Sequence, residues 1–235
     1  MLRRIARLAI AKLVSLETQS EASHQTFRRH NERPVEYAWV FRAIGRCAPK
    51  RVLDVGTGTT PLPAMMATCG CVVMATDNVK DYWPKGMTNR HWHVQDDDIQ
   101  TSRLDPESFD LVTCISTLEH IADHRSAMRN MLRSLKPGGH LVLTCPYTAG
   151  RFTEDCYRVA GVNPKSRENP YPCRSYSRAE LDGWLADSNA SLIDAEYWKG
   201  FTGEHWAIGD RIAPPLPSSE FADHNLGLFL VRKVG

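Results

Sequence analysis

The chain has 235 residues, with 29 Lys and Arg against 27 Asp and Glu and a formal net charge of +2. That balance supplies no bulk electrostatic drive toward nucleic acid, and the length suits one α/β domain with a modest elaboration. The seven cysteines show no repeated C-x-x-C spacing and no run of 18 apolar residues occurs; a disulfide framework, a zinc site and a membrane span are set aside, and the thiols read as reduced, as in the cytoplasm.

Leu2, Ile5, Ala9, Leu13 and Leu16 fall on one face of a helical wheel, with Arg3, Arg4 and Arg7 opposite. Such a basic amphipathic helix has three open roles: packing on its own domain or as a homodimer contact, peripheral membrane contact, or organelle targeting. The expected division is a helix and polar linker over 1–32, then a domain over 33–235. Pro34 in a first turn, followed by Val35, Ala38, Trp39, Arg42 and Ala43, predicts a helix before the first strand.

The stretch KRVLDVGTGTTPL, residues 50–62, organises the rest of the chain. Arg51–Val55 reads as a buried parallel strand, and Gly56, Thr57 and Gly58 form the turn into a helix. Strand, glycine turn and helix bring a ligand against the backbone at the carboxyl edge of a doubly wound sheet, where a Cβ would obstruct its approach. Pro61 stands where a dinucleotide fingerprint has its third Gly, which argues against that ligand. Asp54, two residues before the first Gly, would repel a pyrophosphate and suits a cationic ligand.

Residues 71–76 predict a second strand ending at Asp77, about 20 residues beyond the glycines. A carboxylate there can accept both hydroxyls of a ribose, with Asn78 following toward the base; a plain Asp-Asn turn is the alternative. A loop over 81–90 precedes a short strand at 91–94 and the acids Asp96, Asp97 and Asp98. Phe109–Ile115 predicts a central strand ending at Ser116. Asp123 should cap the next helix, with Gly138 and Gly139 ending it.

In order along the chain, VLDVGTGTT, CVVMATDN, QDDDI, FDLVTCISTLEHI and LKPGGHLVLTCPY resemble the successive motifs of the class I S-adenosylmethionine-dependent methyltransferases, over residues 33–147. The resemblance is nearest to the small-molecule branch. It implies a Rossmann-like, doubly wound seven-stranded α/β sheet with an antiparallel last strand, and S-adenosyl-L-methionine as cofactor. It also implies that the helix before the first strand covers the cofactor, with Arg33 and Tyr37 toward its methionine end; Tyr37 as plain core is the alternative. Asp98 and Ile99 fall where the adenine is held. Asp98 lies 12 residues before Asp110, which suits the family register better than Asp97, the second choice. Ser116, Thr117, Glu119 and His120 line the turn beside the substrate. Some relatives hold a metal on an E-x-x-E-H box; Ser116 replaces its first Glu, so no metal is expected. His120 is a candidate general base or a structural imidazole.

Beyond Tyr147 the resemblance fades, and two inserts are expected at about 148–176 and 199–224. Between them, Ser177 and Glu180 predict a capping box opening a helix, followed by a strand over 191–198. In the second insert His205, Trp206, Arg211 and His224 suit stacking on a sugar, unless that segment is only a rigid proline-bearing loop, and His205 is a second candidate base. The function read from the sequence is O-methylation of a small-molecule or glycan acceptor. An RNA or protein methyltransferase, and a cofactor-binding inactive assembly subunit, are the alternatives.

Overall fold

The structure is a computed structural model and describes residues 2–23, 30–83, 86–162 and 164–235. Outside the described residues lie Met1, linker positions 24–29, Pro84 and Lys85 in the loop after the second strand, and Asn163 in the first insert. Contacts divide the chain into Met1–Asn31 and Glu32–Gly235.

The first unit is the helix α1 (Leu2–Ser23). The side chains of Ile5, Leu8, Ile10, Leu13, Val14 and Leu16 are all exposed on it. Among the described residues no helix is long and apolar enough to cross a membrane.

The second unit opens with α2 (Arg33–Cys47), which starts with Pro34 in its first turn and closes on Ala48 in the left-handed conformation. It leads to β1 (Arg51–Val55) and α3 (Leu62–Thr68), then to β2 (Val72–Asp77), β3 (Val94–Asp96) and β4 (Phe109–Ile115). A single 3-10 turn, Leu118–His120, links β4 to α4 (His124–Ser134). The rest comprises β5 (Leu135–Pro146), α5 (Arg178–Asp187), β6 (Ala190–Phe201), β7 (Arg211–Ser218) and β8 (Leu226–Lys233).

These strands form one eight-stranded sheet in the order β3-β2-β1-β4-β5-β8-β6-β7. β1 to β5 run parallel, while β8 is antiparallel to both β5 and β6. The order reverses between β1 and β4, which opens a crevice at their carboxyl ends. Strand alternation divides the core between the two faces. Leu53, Val112 and Leu143 pack with Met128, Met131 and Trp184 on one side. Val52, Leu111 and Val142 pack with Val40, Ile44 and Met66 on the other.

Four expectations are corrected. The sheet has eight strands and not seven, because Arg211–Ser218 in the second insert pairs with β6. Pro214, Pro215 and Pro217 are tolerated there because β7 is an edge strand. The third strand begins at Val94 and not at 91, because Asn89 Oδ1 accepts the backbone N–H groups of His91 (2.8 Å) and Trp92 (3.0 Å) in a local turn. Gly138 and Gly139 do not end α4, which stops at Ser134; they bend the start of β5, where Gly138 has φ +78. A Cβ on Gly139 would come within 2.9 Å of the Lys136 carbonyl oxygen. Finally, the aromatic groups of the second insert do not form a platform for sugar. Trp206 is buried edge-on against Phe201 at 4.8 Å, Arg211 lies over both rings, and His224 stacks on Tyr147.

The local signals hold. Asp123 accepts the Ser126 N–H at 3.0 Å as N-cap of α4, and Ser177 and Glu180 close a capping box on α5. Cys71, Cys114 and Cys145 are buried, and the seven cysteines are free.

Asn225 fastens the second insert to the sheet. Fully buried, it accepts the N–H groups of Gly200 (2.8 Å) and Phe201 (3.2 Å) and donates to the carbonyls of Phe201 (2.9 Å) and Gly203 (3.0 Å). Asn225→Ala orphans these buried groups and is expected to lower stability by about 2–4 kcal/mol in urea titration. A loss under about 0.5 kcal/mol would show that the insert is held elsewhere.

Candidate active site

Parallel register sets the acids of the site. Asp54 stands opposite Ala75 on one side and Thr113 on the other, and Asp77 stands opposite Asp96. The carboxyl ends of β1, β2 and β3 therefore share one edge.

Asp54 is buried and doubly bonded: Thr113 Oγ1 donates to Oδ1 at 2.6 Å and Thr57 Oγ1 to Oδ2 at 2.7 Å. Burial raises its pKa to about 6 against the opposing pull of those hydroxyls. Gly56 and Gly58 have φ of +71 and +56. A Cβ on Gly56 would collide with the Thr117 side chain at 2.0 Å, so the glycine follows from a close approach within the fold. Asp77 Oδ2 accepts the Gly58 N–H at 2.7 Å and Oδ1 accepts the Trp83 indole N–H at 2.8 Å. Asn78 serves its own loop, accepting the Asp81 N–H at 3.1 Å.

The three successive acids after β3 separate by direction. Asp96 accepts the N–H of Val79 at 3.1 Å. Asp98 is engaged by Gln100, whose backbone and side-chain amides both donate to Oδ1 at 3.0 Å. Asp97 donates its N–H to the Asp77 carbonyl at 3.0 Å and keeps Oδ2 buried without a hydrogen-bond partner. Ile99 is buried against α4, and its carbonyl accepts Asn130 Nδ2 at 2.8 Å.

Above β1 and β4, Arg33 and Tyr37 line one crevice with Asp54, Gly56, Thr57 and Ile115. Sequence reasoning missed the group that ties this wall together, the fully buried Glu36. It accepts Arg33 Nη1 at 2.9 Å, Ser116 Oγ at 2.5 Å and Thr144 Oγ1 at 2.7 Å. The one available signal was an acid on an otherwise apolar helix face. Ser116 is held with φ +46 at the end of β4, an energetically costly conformation of the kind concentrated at functional sites. Asn89 was also missed; its amide donates to the carbonyls of Gly58 and Thr60, each at 2.9 Å, across the glycine turn.

The 3-10 turn after β4 is clamped by the first insert. Arg174 donates its backbone N–H to the Glu119 carbonyl at 3.0 Å and its guanidinium to the Ile121 carbonyl at 2.7 Å. The Tyr176 hydroxyl donates to the Leu118 carbonyl at 2.8 Å. His120 Nδ1 lies 2.7 Å from the Pro172 carbonyl. A carbonyl only accepts, so Nδ1 carries the proton and Nε2 keeps its lone pair. Burial lowers the His120 pKa, which favours the neutral ring. The ring packs on Tyr171 at 4.5 Å. Glu119 beside it is buried, with Oε2 lacking a partner, and burial raises its pKa to about 8. The other histidine singled out, His205, is buried near Thr148, with Oγ1 to Nδ1 at 3.4 Å, and Glu204, and its pKa is likewise lowered by burial. Among the described residues no hydrogen bond places it on the β4 turn, and no group of three or more His, Cys, Asp and Glu could hold a metal.

The strand order, the glycine turn and acids at three strand ends are those of a class I S-adenosylmethionine-dependent methyltransferase. A methyltransferase-domain family model matches residues 24–195, and the chain belongs to that family. A ubiquinone biosynthesis O-methyltransferase of Aeromonas salmonicida is 30% identical over 123 residues, 49% of this chain and 51% of that protein. One of Coxiella burnetii is 28% identical over 189 residues, 75% of this chain and 76% of that protein. The chain thus spans about half the length of the first relative and about three quarters of the second. Among solved structures, the 1,6-didemethyltoxoflavin-N1-methyltransferase of Burkholderia thailandensis, with its substrate and S-adenosylhomocysteine bound, aligns with a TM-score of 0.59 at 15% identity. That alignment covers 97% of this chain and 90% of the other, and the likeness is one of fold. S-adenosylmethionine is the cofactor, and the residues suit it: an acid at the end of β2, two glycines of positive φ in the turn after β1, and a buried Asp97 oxygen without a hydrogen-bond partner.

Glu119 makes folding pH-dependent. With its folded pKa near 8, the native state holds a proton that the unfolded chain releases near pH 4.5, so stability falls as pH rises through that window. Asp54 contributes the same sign only up to about 6. Glu119→Gln is therefore expected to remove up to about 1.4 kcal/mol per pH unit of this decline between pH 6.5 and 8. Urea unfolding across that range checks it, and an unchanged slope would assign the proton elsewhere.

Proposed function

We propose that this enzyme transfers a methyl group to an oxygen of a small-molecule acceptor, with His120 as the base that takes the hydroxyl proton. The carrying observation is the His120 tautomer: Pro172 holds Nδ1–H, and Nε2 is left as acceptor on the turn after β4, beside a Glu119 that burial keeps largely neutral at pH 7. O-methylation named for both ubiquinone-biosynthesis relatives supports the same reading. Buried packing of the second-insert aromatics favours a compact acceptor over a glycan.

For the cofactor, we assign Asp77 to the ribose hydroxyls, Asp97 with the Asp98–Ile99 backbone to the adenine, and Arg33, Tyr37, Asp54, Gly56, Thr57, Gly58 and Ser116 to the methionine end. Asp97 is preferred to Asp98 for the amino group, because Gln100 already engages Asp98. The chain's own part in catalysis is to fix the acceptor against the donor and receive its proton. Asp77→Ala should abolish S-adenosylhomocysteine binding in calorimetry. His120→Ala should leave that binding intact and cut product formation by about 100-fold or more in a screen of hydroxylated small molecules. Unchanged turnover in His120→Ala would discard the histidine base.

The free thiols fit a reducing compartment, the cytoplasm in our reading. We infer further that α1 rests on an anionic membrane surface. It carries Arg3, Arg4, Arg7 and Lys12 with no acid before Glu17, beside an exposed apolar surface of Ile5, Leu13 and Leu16. The full chain should pellet with anionic vesicles, and a chain lacking residues 1–18 should stay in solution. Equal pelleting removes the membrane role, and a concentration-dependent dimer that dissociates on the same deletion would assign α1 to a second copy.

A further inference from the structure

Asp77 is already in use. Its Oδ1 holds the Trp83 indole N–H at 2.8 Å, and its Oδ2 holds the Gly58 N–H at 2.7 Å. The same indole lies over the open side of Gly58: a Cβ built there would sit 3.6 Å from Trp83 Cζ2 and 3.9 Å from Cη2. That side of the glycine turn is where a ligand approaches the backbone. The adjoining crevice, lined by Arg33, Tyr37, Asp54 and Thr57, has a free volume of about 10 Å³. Ligand sites for molecules of nucleoside size run to roughly 300 Å³ or more, so this crevice as it stands does not hold one by itself.

Trp83 stands in the segment that follows β2. The start of that segment is pinned, with Val79 N–H on Asp96 and Tyr82 N–H on the Asn78 carbonyl. The Trp83 side chain is half-buried and touches Tyr82 edge-on at 5.6 Å. Rotation of that one side chain frees a carboxylate oxygen and the face of Gly58 together.

We propose that the Trp83 indole is an internal stand-in for the cofactor's nucleoside, holding Asp77 and covering Gly58 until the cofactor displaces it. This rests on Asp77 as the ribose carboxylate. An internal competitor lowers apparent affinity by the fraction of molecules it closes, and a hydrogen bond to a charged acceptor is strong enough to matter. It also orients the carboxylate in advance for the hydroxyls that replace the indole.

The test is S-adenosylhomocysteine binding to the full chain by calorimetry. Trp83→Phe keeps a ring against Tyr82 and removes the N–H. It is expected to bind roughly tenfold tighter, since one charge-assisted hydrogen bond no longer competes. Unchanged or weaker binding overturns the proposal. A second measurement needs no folded variant to succeed: of the indole N–H resonances of the six Trp residues, the one hydrogen-bonded to Asp77 should move on saturation of the unsubstituted chain. If no indole resonance moves, the gate is refuted. If the unsubstituted chain does not bind, or Asp77→Ala binds as well as it does, the assignment of Asp77 fails instead.

Discussion

The register of β1 between β2 and β4 is the constraint on which the site depends. It sets Asp54 opposite Thr113 and carries Val55 to Thr76, so that the strands end together. A slip of one residue would turn Asp54 to the opposite face of the sheet. It would lose both hydroxyls that now hold it in a buried position. The apolar run on either side makes such a slip costly, because Val52 and Leu53 belong to different faces and different halves of the core. Burial that stabilises the sheet thus also sets the position of the carboxylate.

The acceptor side depends on a second constraint, of longer range. The turn Leu118–His120 has little structure of its own beyond one 3-10 turn. Its shape is imposed by the first insert, through Pro172, Arg174 and Tyr176. A ring chain continues from His120 to Tyr171 and Tyr82 and ends on Trp83, with centroids 4.5, 5.2 and 5.6 Å apart. The base candidate and the group on Asp77 therefore belong to one packed surface.

This division explains what the sequence revealed and what it concealed. β1 and β4 were legible to the residue, since a buried parallel strand is a short apolar run bounded by turn residues. The caps at Asp123 and Ser177 were equally plain, because each is satisfied within three residues. Glu36 was not, because the hydroxyl it accepts from Thr144 lies 108 positions away. Asn89 and Arg174 act on carbonyls 31 and 53 positions back, and nothing local marks either residue as a clamp. β7 was hidden for another reason: its prolines argue against a strand in any segment except a sheet edge, and edges are decided by the fold.

Charge gives the site its direction. Near the ends of β1 and β4 stand the buried acids Asp54, Glu36 and Glu119, with Arg33 bonded to Glu36. Burial pushes Asp54 up to about 6 and Glu119 up to about 8, and the like charges nearby act in the same sense. Such an edge is short of positive charge. In the proposed reading a sulfonium supplies it, and an opposite charge at close range favours the ionised form of Asp54. The product of methyl transfer has lost that cation, so on the same reading these acids hold it less strongly than the donor. On that reading a neutral pocket of the same shape would grip both alike, whereas the acids prefer the charged donor, and an indole on Asp77 would set a threshold that both must exceed.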